Sequence, residues 1–175
     1  MVNLKLVSLN VRGMRGDKRY VIFKWLKDNQ FDICLLQETY CTDSFKQKFD
    51  KDWEGKTFHA TSDSSHSRGV CILFRKSMEY RVISMFTCNT GRCILVNVEI
   101  NGDEYTFVNI YAPNNVKDRI SFLKKVEDMI ESNAVSKTNL LIAGDFNSVA
   151  STIDKTNGWL DKRHSKRNAK IIIIN

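Results

Sequence analysis

The sequence lacks several features that would place it in a class at once. It holds one proline and shows no internal repeat or low-complexity tract. Its five cysteines are odd in number and have no CxxC spacing, which favours buried free thiols in a reducing compartment over a disulfide framework or a zinc site. No run approaches the ~18 apolar residues of a membrane span, and the start lacks the pattern of a secretory signal. We therefore expect an intracellular protein that is not secreted and has no membrane partner.

The composition fits one folded domain. The chain has 175 residues, 42% of them hydrophobic, which is enough for a sizeable core. Its net charge is +7 and its pI is about 9.2. A basic balance suits a polyanionic partner, but many basic proteins bind no nucleic acid. Charge alone therefore leaves the partner open.

Hydrophobic periodicity predicts alternating strands and helices. The predicted strands are 4–10, 33–37, 69–74, 80–86, 93–100, 104–111 and 139–145, and the predicted helices are 17–29, 44–49 and 116–133. Early strand–helix–strand units followed by antiparallel strands indicate an α/β fold with two packed sheets and helices outside. His59 to Arg68 reads as a polar loop. Ile171–Ile174 is either the buried side of a helix or the start of a strand.

Particular faces of these elements are predicted to be apolar. The first helix places Val21, Trp25 and Leu26 on one face. The long helix does so with Ile120, Leu123, Val126 and Ile130. The strand 139–145 reads as buried. In the strand before Pro113, the aromatic face carries Tyr105, Phe107, Asn109 and Tyr111.

Four apolar runs end on polar side chains able to contact a metal or a phosphate. The segments are Leu6-Val7-Ser8-Leu9-Asn10, Ile33-Cys34-Leu35-Leu36-Gln37-Glu38, Val108-Asn109-Ile110-Tyr111 and Leu140-Leu141-Ile142-Ala143-Gly144-Asp145-Phe146-Asn147. Each ending alone is compatible with an ordinary turn. Together they predict one active site at the ends of the strands.

These segments resemble the motifs of the endonuclease/exonuclease/phosphatase superfamily, which has a DNase I-like fold. The chain is also similar to the endonuclease domain of non-LTR (LINE-type) retrotransposons. The resemblance implies an α/β fold, a two-sheet β-sandwich flanked by helices. It also implies a magnesium-dependent endonuclease, with Mn²⁺ as a possible substitute, acting on double-stranded DNA. A reverse transcriptase would be fused to it or lie downstream, and a eukaryotic retroelement would act in the nucleus.

The resemblance carries roles to individual positions. Glu38 would be the metal ligand, and Asn10 would either hold Glu38 or bind the metal through its carboxamide oxygen. Asp145 would orient or deprotonate the attacking water, and Asn147 would donate to the phosphate. Tyr111 would offer its hydroxyl to the phosphate or to the leaving group. These five residues form the expected catalytic set.

Four further residues are expected to contact DNA. The loop from Arg12 to Arg19 resembles the family's first phosphate-gripping loop, and Arg15 is its principal candidate, ahead of Arg12 and Lys18. A solvated basic turn is the alternative. Asn114 is as well suited to a turn as to a backbone phosphate. The basic segment 162–167 is a weaker candidate for phosphate contact.

One departure from the family pattern is large. The pattern continues to a further acidic residue and a Ser-Asp-His triplet, and no Ser-Asp-His occurs in this sequence. We therefore expect residues 1–175 to be the N-terminal portion of a single domain, incomplete at the C-terminus, and to be a poor nuclease alone. Other interpretations remain open: a repair nuclease of the exonuclease III or apurinic endonuclease type, a phosphomonoesterase, or an inactive remnant that binds DNA weakly.

Overall fold

A computed structural model describes residues 3–63 and 66–148, and the backbone of a strand at Ala169–Ile174. Its strands are β1 Leu4–Asn10, β2 Ile33–Gln37, β3 Lys56–Ala60, β4 Val70–Phe74, β5 Arg81–Thr87, β6 Cys93–Ile100, β7 Asp103–Tyr111, β8 Leu140–Asp145 and β9 Ala169–Ile174. Its helices are α1 Asp17–Asp28, α2 Asp43–Trp53 and α3 Val116–Asn133.

The strands form two mixed sheets. The first sheet has the order β3-β4-β2-β1-β9, and the second has the order β5-β6-β7-β8. Most neighbours are antiparallel, but β1 runs parallel to β2 and β7 runs parallel to β8. Helix α1 makes the connection in the first parallel pair and α3 makes it in the second. Parallel neighbours end at the same edge of a sheet, so the residues that follow β1 and β2, and those that follow β7 and β8, lie together.

Three apolar clusters stack these elements into four layers. The largest lies between the sheets and joins residues such as Leu35 and Ile72 to Val96 and Phe107. A second packs the outer face of the first sheet against α1 and α2. A third packs the outer face of the second sheet against α3. The fold is thus the expected α/β sandwich of two sheets flanked by helices.

Several predicted details need correction. Residues 56–60, including His59, form strand β3 where a polar loop was expected from His59 onward. Helix α2 begins at Asp43 and ends at Trp53, so it is longer than predicted. In α1 the buried residues are Arg19, Ile22, Phe23 and Leu26, and Val21 is 54% exposed. Of the predicted face, Leu26 is buried and Trp25 packs partly buried against the same cluster, so only Val21 was wrong. Arg19 was missed because a charged side chain is expected in solvent, whereas here it is buried and paired with Asp52.

The periphery of the second sheet is less buried than predicted. In α3 only Val126 of the predicted face is fully buried, and Ile120 is 66% exposed. Strand β8, expected to be buried, leaves Ile142 42% exposed. β8 lies at one side of its sheet. The apolar pattern therefore predicted both elements but overstated their burial.

Two open questions about the chain are resolved. Residues 171–174 belong to strand β9, which pairs antiparallel with β1. All five cysteines are free; four are buried and Cys88 is half-buried. The basic segment 162–167 lies outside the described residues. Among the helices that are described, none combines the length and apolar character that crossing a bilayer requires.

Candidate active site

The predicted site residues follow strands that end at one edge of the sandwich. Asn10 is the last residue of β1 and pairs in register with Gln37, the last residue of β2. In the other sheet, Tyr111 and Asp145 are paired at the ends of β7 and β8. Glu38 follows Gln37 directly. The two parallel pairs therefore deliver polar side chains from both sheets to one place.

Asn10 connects the two carboxylates of this place. Its carboxamide nitrogen donates to Glu38 Oε1 and to Asp145 Oδ2, both at 2.8 Å. One nitrogen thus holds an oxygen of a carboxylate from each sheet. The Asn10 carboxamide oxygen accepts the backbone N–H of Arg12 at 3.1 Å. Of the two roles predicted for Asn10, holding Glu38 is the one that this geometry displays.

Two phenols also meet Glu38. The Tyr40 hydroxyl donates to Glu38 Oε2 at 3.0 Å. Burial raises the pKa of Tyr40, and the Glu38 carboxylate raises it further. The pKa of Tyr111 is raised for the same two reasons in the same order. Both hydroxyls therefore stay protonated at neutral pH and remain hydrogen-bond donors.

Asn147 shapes the turn that follows Asp145. Its backbone N–H donates to Asp145 Oδ1 at 3.0 Å, so the Asp145 carboxylate is held from both sides. Its carboxamide nitrogen donates to the carbonyl of Ala112 at 2.6 Å, which ties the β8 turn to the residue after Tyr111. The carbonyl of Ala112 is the one partner of this nitrogen among the described residues, which leaves its second hydrogen for a ligand.

Backbone strain is concentrated around these residues. Arg12, Glu38, Tyr40 and Asn147 all have positive φ, between 47° and 57°. Such values are uncommon outside glycine and cluster at functional sites. Gly13 also has positive φ, and a Cβ there would lie 2.7 Å from Cδ2 of Tyr40. The loop after β1 therefore packs directly on the loop after β2.

The basic loop departs partly from the expected phosphate grip. The amides of Gly13 and Met14 donate to the carbonyls of Glu38 and Thr39, so they serve the fold. The Lys18 ammonium donates to the Arg12 carbonyl at 2.7 Å, and the side chains of Arg12 and Arg15 are exposed. Phosphate contact in this loop would therefore depend on side chains more than on these two amides.

Asn114 lies in the turn that leads into α3. Its backbone carbonyl accepts from Arg119 at 2.9 Å. The next residue, Asn115, caps the helix by accepting from the amides of Lys117 and Asp118. The Asn114 side chain is exposed. The structure therefore gives this segment a turn role and leaves DNA contact by Asn114 as a prediction.

A buried polar network beneath the site was not predicted. The Asn109 carboxamide donates across the sandwich to the carbonyls of Leu36 and Cys71 at 2.9 and 2.8 Å. It accepts from Gln37 Nε2 at 2.6 Å, and the same Gln37 nitrogen reaches Ser8 Oγ at 3.2 Å. Gln37 precedes Glu38, and Asn109 lies two residues before Tyr111. The network therefore fixes the two sheets to each other next to the site.

The donor chemistry of the site fits a small hard cation. Mg²⁺ is held by one or two carboxylates and keeps several waters, and Glu38 and Asp145 provide carboxylates bridged by Asn10. No cluster of three or more His, Cys, Asp or Glu suited to a metal occurs among residues 3–63 and 66–148. Within those residues the protein does not surround a metal with its own ligands alone. This is usual for Mg²⁺, because the ion keeps several bound waters.

Solved structures with similar folds include a protein in complex with DNA and an endonuclease. D. rerio TDP2 complexed with a single-strand DNA product has a TM-score of 0.63 and 20% identity, covering 90% of this chain and 66% of the other. An AP endonuclease from Archaeoglobus fulgidus has a TM-score of 0.63 and 22% identity, covering 86% of this chain and 60% of the other. At these identities the likeness concerns the fold, which is DNase I-like.

The sequence also has a curated relative. It is 29% identical over 155 residues to the Xenopus laevis "Transposon TX1 uncharacterized 149 kDa protein", and the match covers 87% of this chain and 12% of that protein. Residues 7–168 match the Endonuclease/Exonuclease/phosphatase family. Because this match spans most of the chain, and the strand ends carry the expected polar groups, the chain belongs to the endonuclease/exonuclease/phosphatase family.

Proposed function

We propose that this chain is the DNA-nicking endonuclease part of a LINE-type retrotransposon protein, with a reverse transcriptase fused to it or encoded downstream. The family supports phosphodiester hydrolysis, and the transposon relative supports the retroelement setting. The nick would provide a primer end for reverse transcription. In a eukaryotic host the target would lie in the nucleus.

The observation that carries the hydrolase proposal is the bridge made by Asn10. It brings the carboxylates of Glu38 and Asp145 to one nitrogen, although they belong to different sheets. Two negatively charged carboxylates at such a short separation repel each other, and a bound cation would reduce that repulsion. A site that orders such a pair by hydrogen bonds is suited to a metal and a phosphate together.

Glu38 would bind Mg²⁺, or Mn²⁺ in its place, and Asn10 would hold the Glu38 carboxylate in position. The bound cation would supply charge neutralisation at the phosphate and polarise its oxygen. The Tyr40 hydroxyl keeps the Glu38 carboxylate oriented through its hydrogen bond to Oε2. The preorganised carboxylate therefore needs little rearrangement to receive the cation.

Asp145, Asn147 and Tyr111 would act on the reacting atoms. Asp145 is positioned by Asn10 and by the Asn147 amide, so it can orient a water and accept its proton. The free amide hydrogen of Asn147 can donate to a phosphate oxygen. Tyr111 remains protonated because burial and Glu38 raise its pKa, so it can donate to the phosphate or the leaving oxygen.

The DNA backbone would be gripped by the basic loop after β1. Arg12 and Arg15 are exposed next to the site, and Lys18 fixes the loop through the Arg12 carbonyl. Asn114 would add a contact on the β7 side. Such contacts neutralise phosphates without reading sequence.

We expect this 175-residue chain to hydrolyse DNA slowly. Its sequence has no Ser-Asp-His triplet, whereas the family pattern implies an Asp–His pair around the water and the phosphate. A positioned acid–base or charge-stabilising group contributes about 10²-fold or more to rate. The groups that remain can still bind a cation and a phosphate.

Nicking of supercoiled plasmid by the purified chain tests the proposal. We expect slow nicking that requires Mg²⁺ or Mn²⁺, and we expect Glu38→Ala to reduce it about 100-fold or more. Glu127→Ala is the matched control, because Glu127 is an exposed carboxylate on α3. Nicking that survives EDTA, or that Glu38→Ala leaves intact, would reject the mechanism.

The substrate separates the competing functions. The likeness to an AP endonuclease fold makes abasic duplex the necessary comparison, and preferential cleavage there would favour a repair nuclease. Cleavage of inositol or lipid phosphates would favour a phosphomonoesterase. Metal-independent DNA binding without nicking would identify an inactive remnant.

A further inference from the structure

Two cysteines face each other where the β5–β6 hairpin turns. Thr87 pairs with Ile94 in the ladder between these strands, and the amide of Cys88 donates to the Cys93 carbonyl at 3.1 Å, which extends the ladder by one pair. Both cysteine side chains pack in the apolar cluster beneath α3, so they project from the same face of the sheet. Directly opposite residues of an antiparallel ladder have Cα atoms ~4.5–5.5 Å apart, a separation that a disulfide spans.

The Cys88 sulfur already lies against Cys93. It accepts the backbone N–H of Cys93 at 3.1 Å and that of Arg92 at 3.3 Å. In a regular ladder the Cys88 carbonyl would accept the Cys93 amide, so the sulfur occupies the position of a backbone acceptor. Rotation of the two side chains, without any change of strand register, would therefore bring the two sulfurs together.

The surroundings of Cys88 suit a reactive thiolate. Besides the two amides, the Thr90 hydroxyl lies 3.2 Å from the sulfur. The pKa of Arg92 is lowered, first by burial, and the charge of a Cys88 thiolate opposes this effect, so the two groups are close. Hydrogen-bond donors and a nearby guanidinium stabilise a thiolate, which is the form of cysteine that reacts with oxidants.

The two cysteines differ in their access to solvent and in their acidity. Both line a cleft of about 570 Å³, but Cys88 is half-buried, whereas Cys93 is fully buried. Burial raises the pKa of Cys93, and the charge of Cys88 raises it further. An oxidant that enters the cleft therefore meets Cys88 first. Once Cys88 is oxidised and uncharged, its opposition to ionisation of Cys93 disappears.

We propose that Cys88 and Cys93 are an oxidation site, which peroxide converts to an intramolecular disulfide. The Cys88 thiolate attacks a peroxide oxygen, the O–O bond breaks, hydroxide leaves and Cys88 becomes a sulfenic acid. The Cys93 sulfur then attacks the Cys88 sulfur, so that the S–S bond forms and the S–O bond breaks. The Cys93 proton leaves with the hydroxyl group as water. Two electrons thus pass from the two thiols to one peroxide molecule.

The disulfide would change a contact at the active site. To bond to the other sulfur, the Cys88 sulfur must leave the amides of Arg92 and Cys93. Arg92 is joined to Tyr111 in three ways. Its guanidinium lies over the Tyr111 ring, 4.8 Å from the centroid, and donates to the Tyr111 carbonyl at 3.0 Å. Its carbonyl accepts the Tyr111 amide at 2.8 Å. Oxidation of the hairpin should therefore loosen the end of β7.

Peroxide treatment of the full chain at neutral pH, followed by peptide mapping, tests the site. We expect the wild-type chain to lose two hydrogens in mass and to yield peptides linked through Cys88 and Cys93. Dithiothreitol should restore both thiols. Cys93→Ser should stop at the Cys88 sulfenic acid, which dimedone traps. Cys41→Ser is the matched control, because Cys41 is a buried thiol of the cluster beneath α1 and α2, and it should leave the linkage unchanged.

The mapping of the wild-type chain does not depend on whether a variant folds. Absence of the Cys88–Cys93 linkage from that chain after peroxide treatment would overturn the site. A linkage between two chains, or an oxidation that dithiothreitol does not reverse, would overturn it as well.

Hydrogen exchange measures the effect on Tyr111. The peptide that contains the Tyr111 amide should exchange about fivefold faster in the oxidised chain, which corresponds to the loss of one hydrogen bond. Cys88→Ser treated with the same peroxide is the control, because serine keeps an acceptor at this position and forms no disulfide. Equal exchange in oxidised and reduced wild-type chains would contradict the link to Tyr111. Neither measurement involves hydrolysis, so a failure of the nicking assay leaves both outcomes decisive.

Discussion

The Glu38 carboxylate is held by side chains from three different segments. Asn10 of β1 binds one oxygen, and Tyr40, from the loop after β2, binds the other. Tyr111 of β7 approaches the same carboxylate. A metal ligand surrounded by fixed donors has its orientation set before the cation arrives, and such supporting contacts are a large part of metal affinity.

We predict that Tyr40→Phe weakens the binding of Mn²⁺ about tenfold. The substitution keeps the ring that packs on Gly13 and removes only the hydroxyl that orients Glu38. Loss of a supporting hydrogen bond costs ~10- to 100-fold in metal affinity. Electron paramagnetic resonance of free Mn²⁺ measures the change. Tyr20→Phe is the control, because Tyr20 lies on α1 and is 52% exposed, and equal Mn²⁺ affinity in both variants would contradict the prediction.

Residues at strand ends could be predicted, whereas their supports could not. Asn10, Glu38 and Asp145 follow apolar runs, so alternation and parallel pairing suffice to place them together. Tyr40, which bonds Glu38, has a φ of +57°, and no pattern of apolar residues reveals such a backbone conformation. Gln37 and Asn109 lie inside apolar runs and are fully buried polar residues. They bond to each other from opposite sheets, so only the tertiary structure reveals the contact.

The parallel β7–β8 pair fixes the position of Asp145. The two strands approach so closely that a Cβ on Gly144 would lie 2.0 Å from the Ile110 carbonyl oxygen. Gly144 has φ +145° and immediately precedes Asp145. Glycine is therefore required by both space and backbone conformation at this point.

We predict that Gly144→Ala lowers the free energy of unfolding by about 3 kcal/mol or more, since it combines backbone strain with overpacking. Urea denaturation measures the difference. Gly102→Ala is the control, because Gly102 has φ +87° in the β6–β7 turn and nothing lies within 4 Å of an added Cβ. We expect that control to lose about 1 kcal/mol. Equal losses would show that the close β7–β8 contact does not matter.

At the level of elements, periodicity predicted most strands and both long helices, and it failed where burial is uneven. β3 reads Lys-Thr-Phe-His-Ala, a mixture that resembles a loop until Phe58 and His59 are seen to be buried. α3 covers its sheet through one buried residue, Val126, and several neighbours that are only half-buried. Helix faces depend on neighbouring elements, and a single sequence does not contain their position.

The stability of the whole molecule should depend on pH through His59. Its ring lies against Phe49 in the buried layer between α2 and the first sheet. Nε2 meets Asp50 at 2.8 Å, while the buried Nδ1 has no hydrogen-bond partner among residues 3–63 and 66–148. The pKa of His59 is lowered, chiefly by burial and against the opposing effect of Asp50. Protonation would place an N–H at Nδ1, where none of those residues accepts it.

We predict that the free energy of unfolding falls as the pH drops below 6.5, the ordinary pKa of histidine. The unfolded chain binds the proton more readily there, so each step downward favours unfolding until the folded pKa is reached. Above that range His59 adds no pH dependence. Urea denaturation between pH 7.5 and 5 tests this.

His59→Gln should flatten the pH dependence. His66→Gln is the comparison at an exposed histidine, and an equal change of slope in both variants would contradict the assignment to His59. If the pH dependence of the unfolding free energy is unchanged in His59→Gln, it arises from the carboxylates and not from His59.

Strand β1 has partners that are made at very different times. β2 begins about two dozen residues later, but Leu9 pairs with Ala169, 160 positions further along the chain. At ~5–20 residues per second, a ribosome needs roughly 10–30 s to supply that partner. During this interval one side of β1 offers unpaired backbone groups beside leucine and valine side chains, the type of edge that recruits other chains. We therefore expect β1 to be most open to pairing with other chains while the protein is being synthesised.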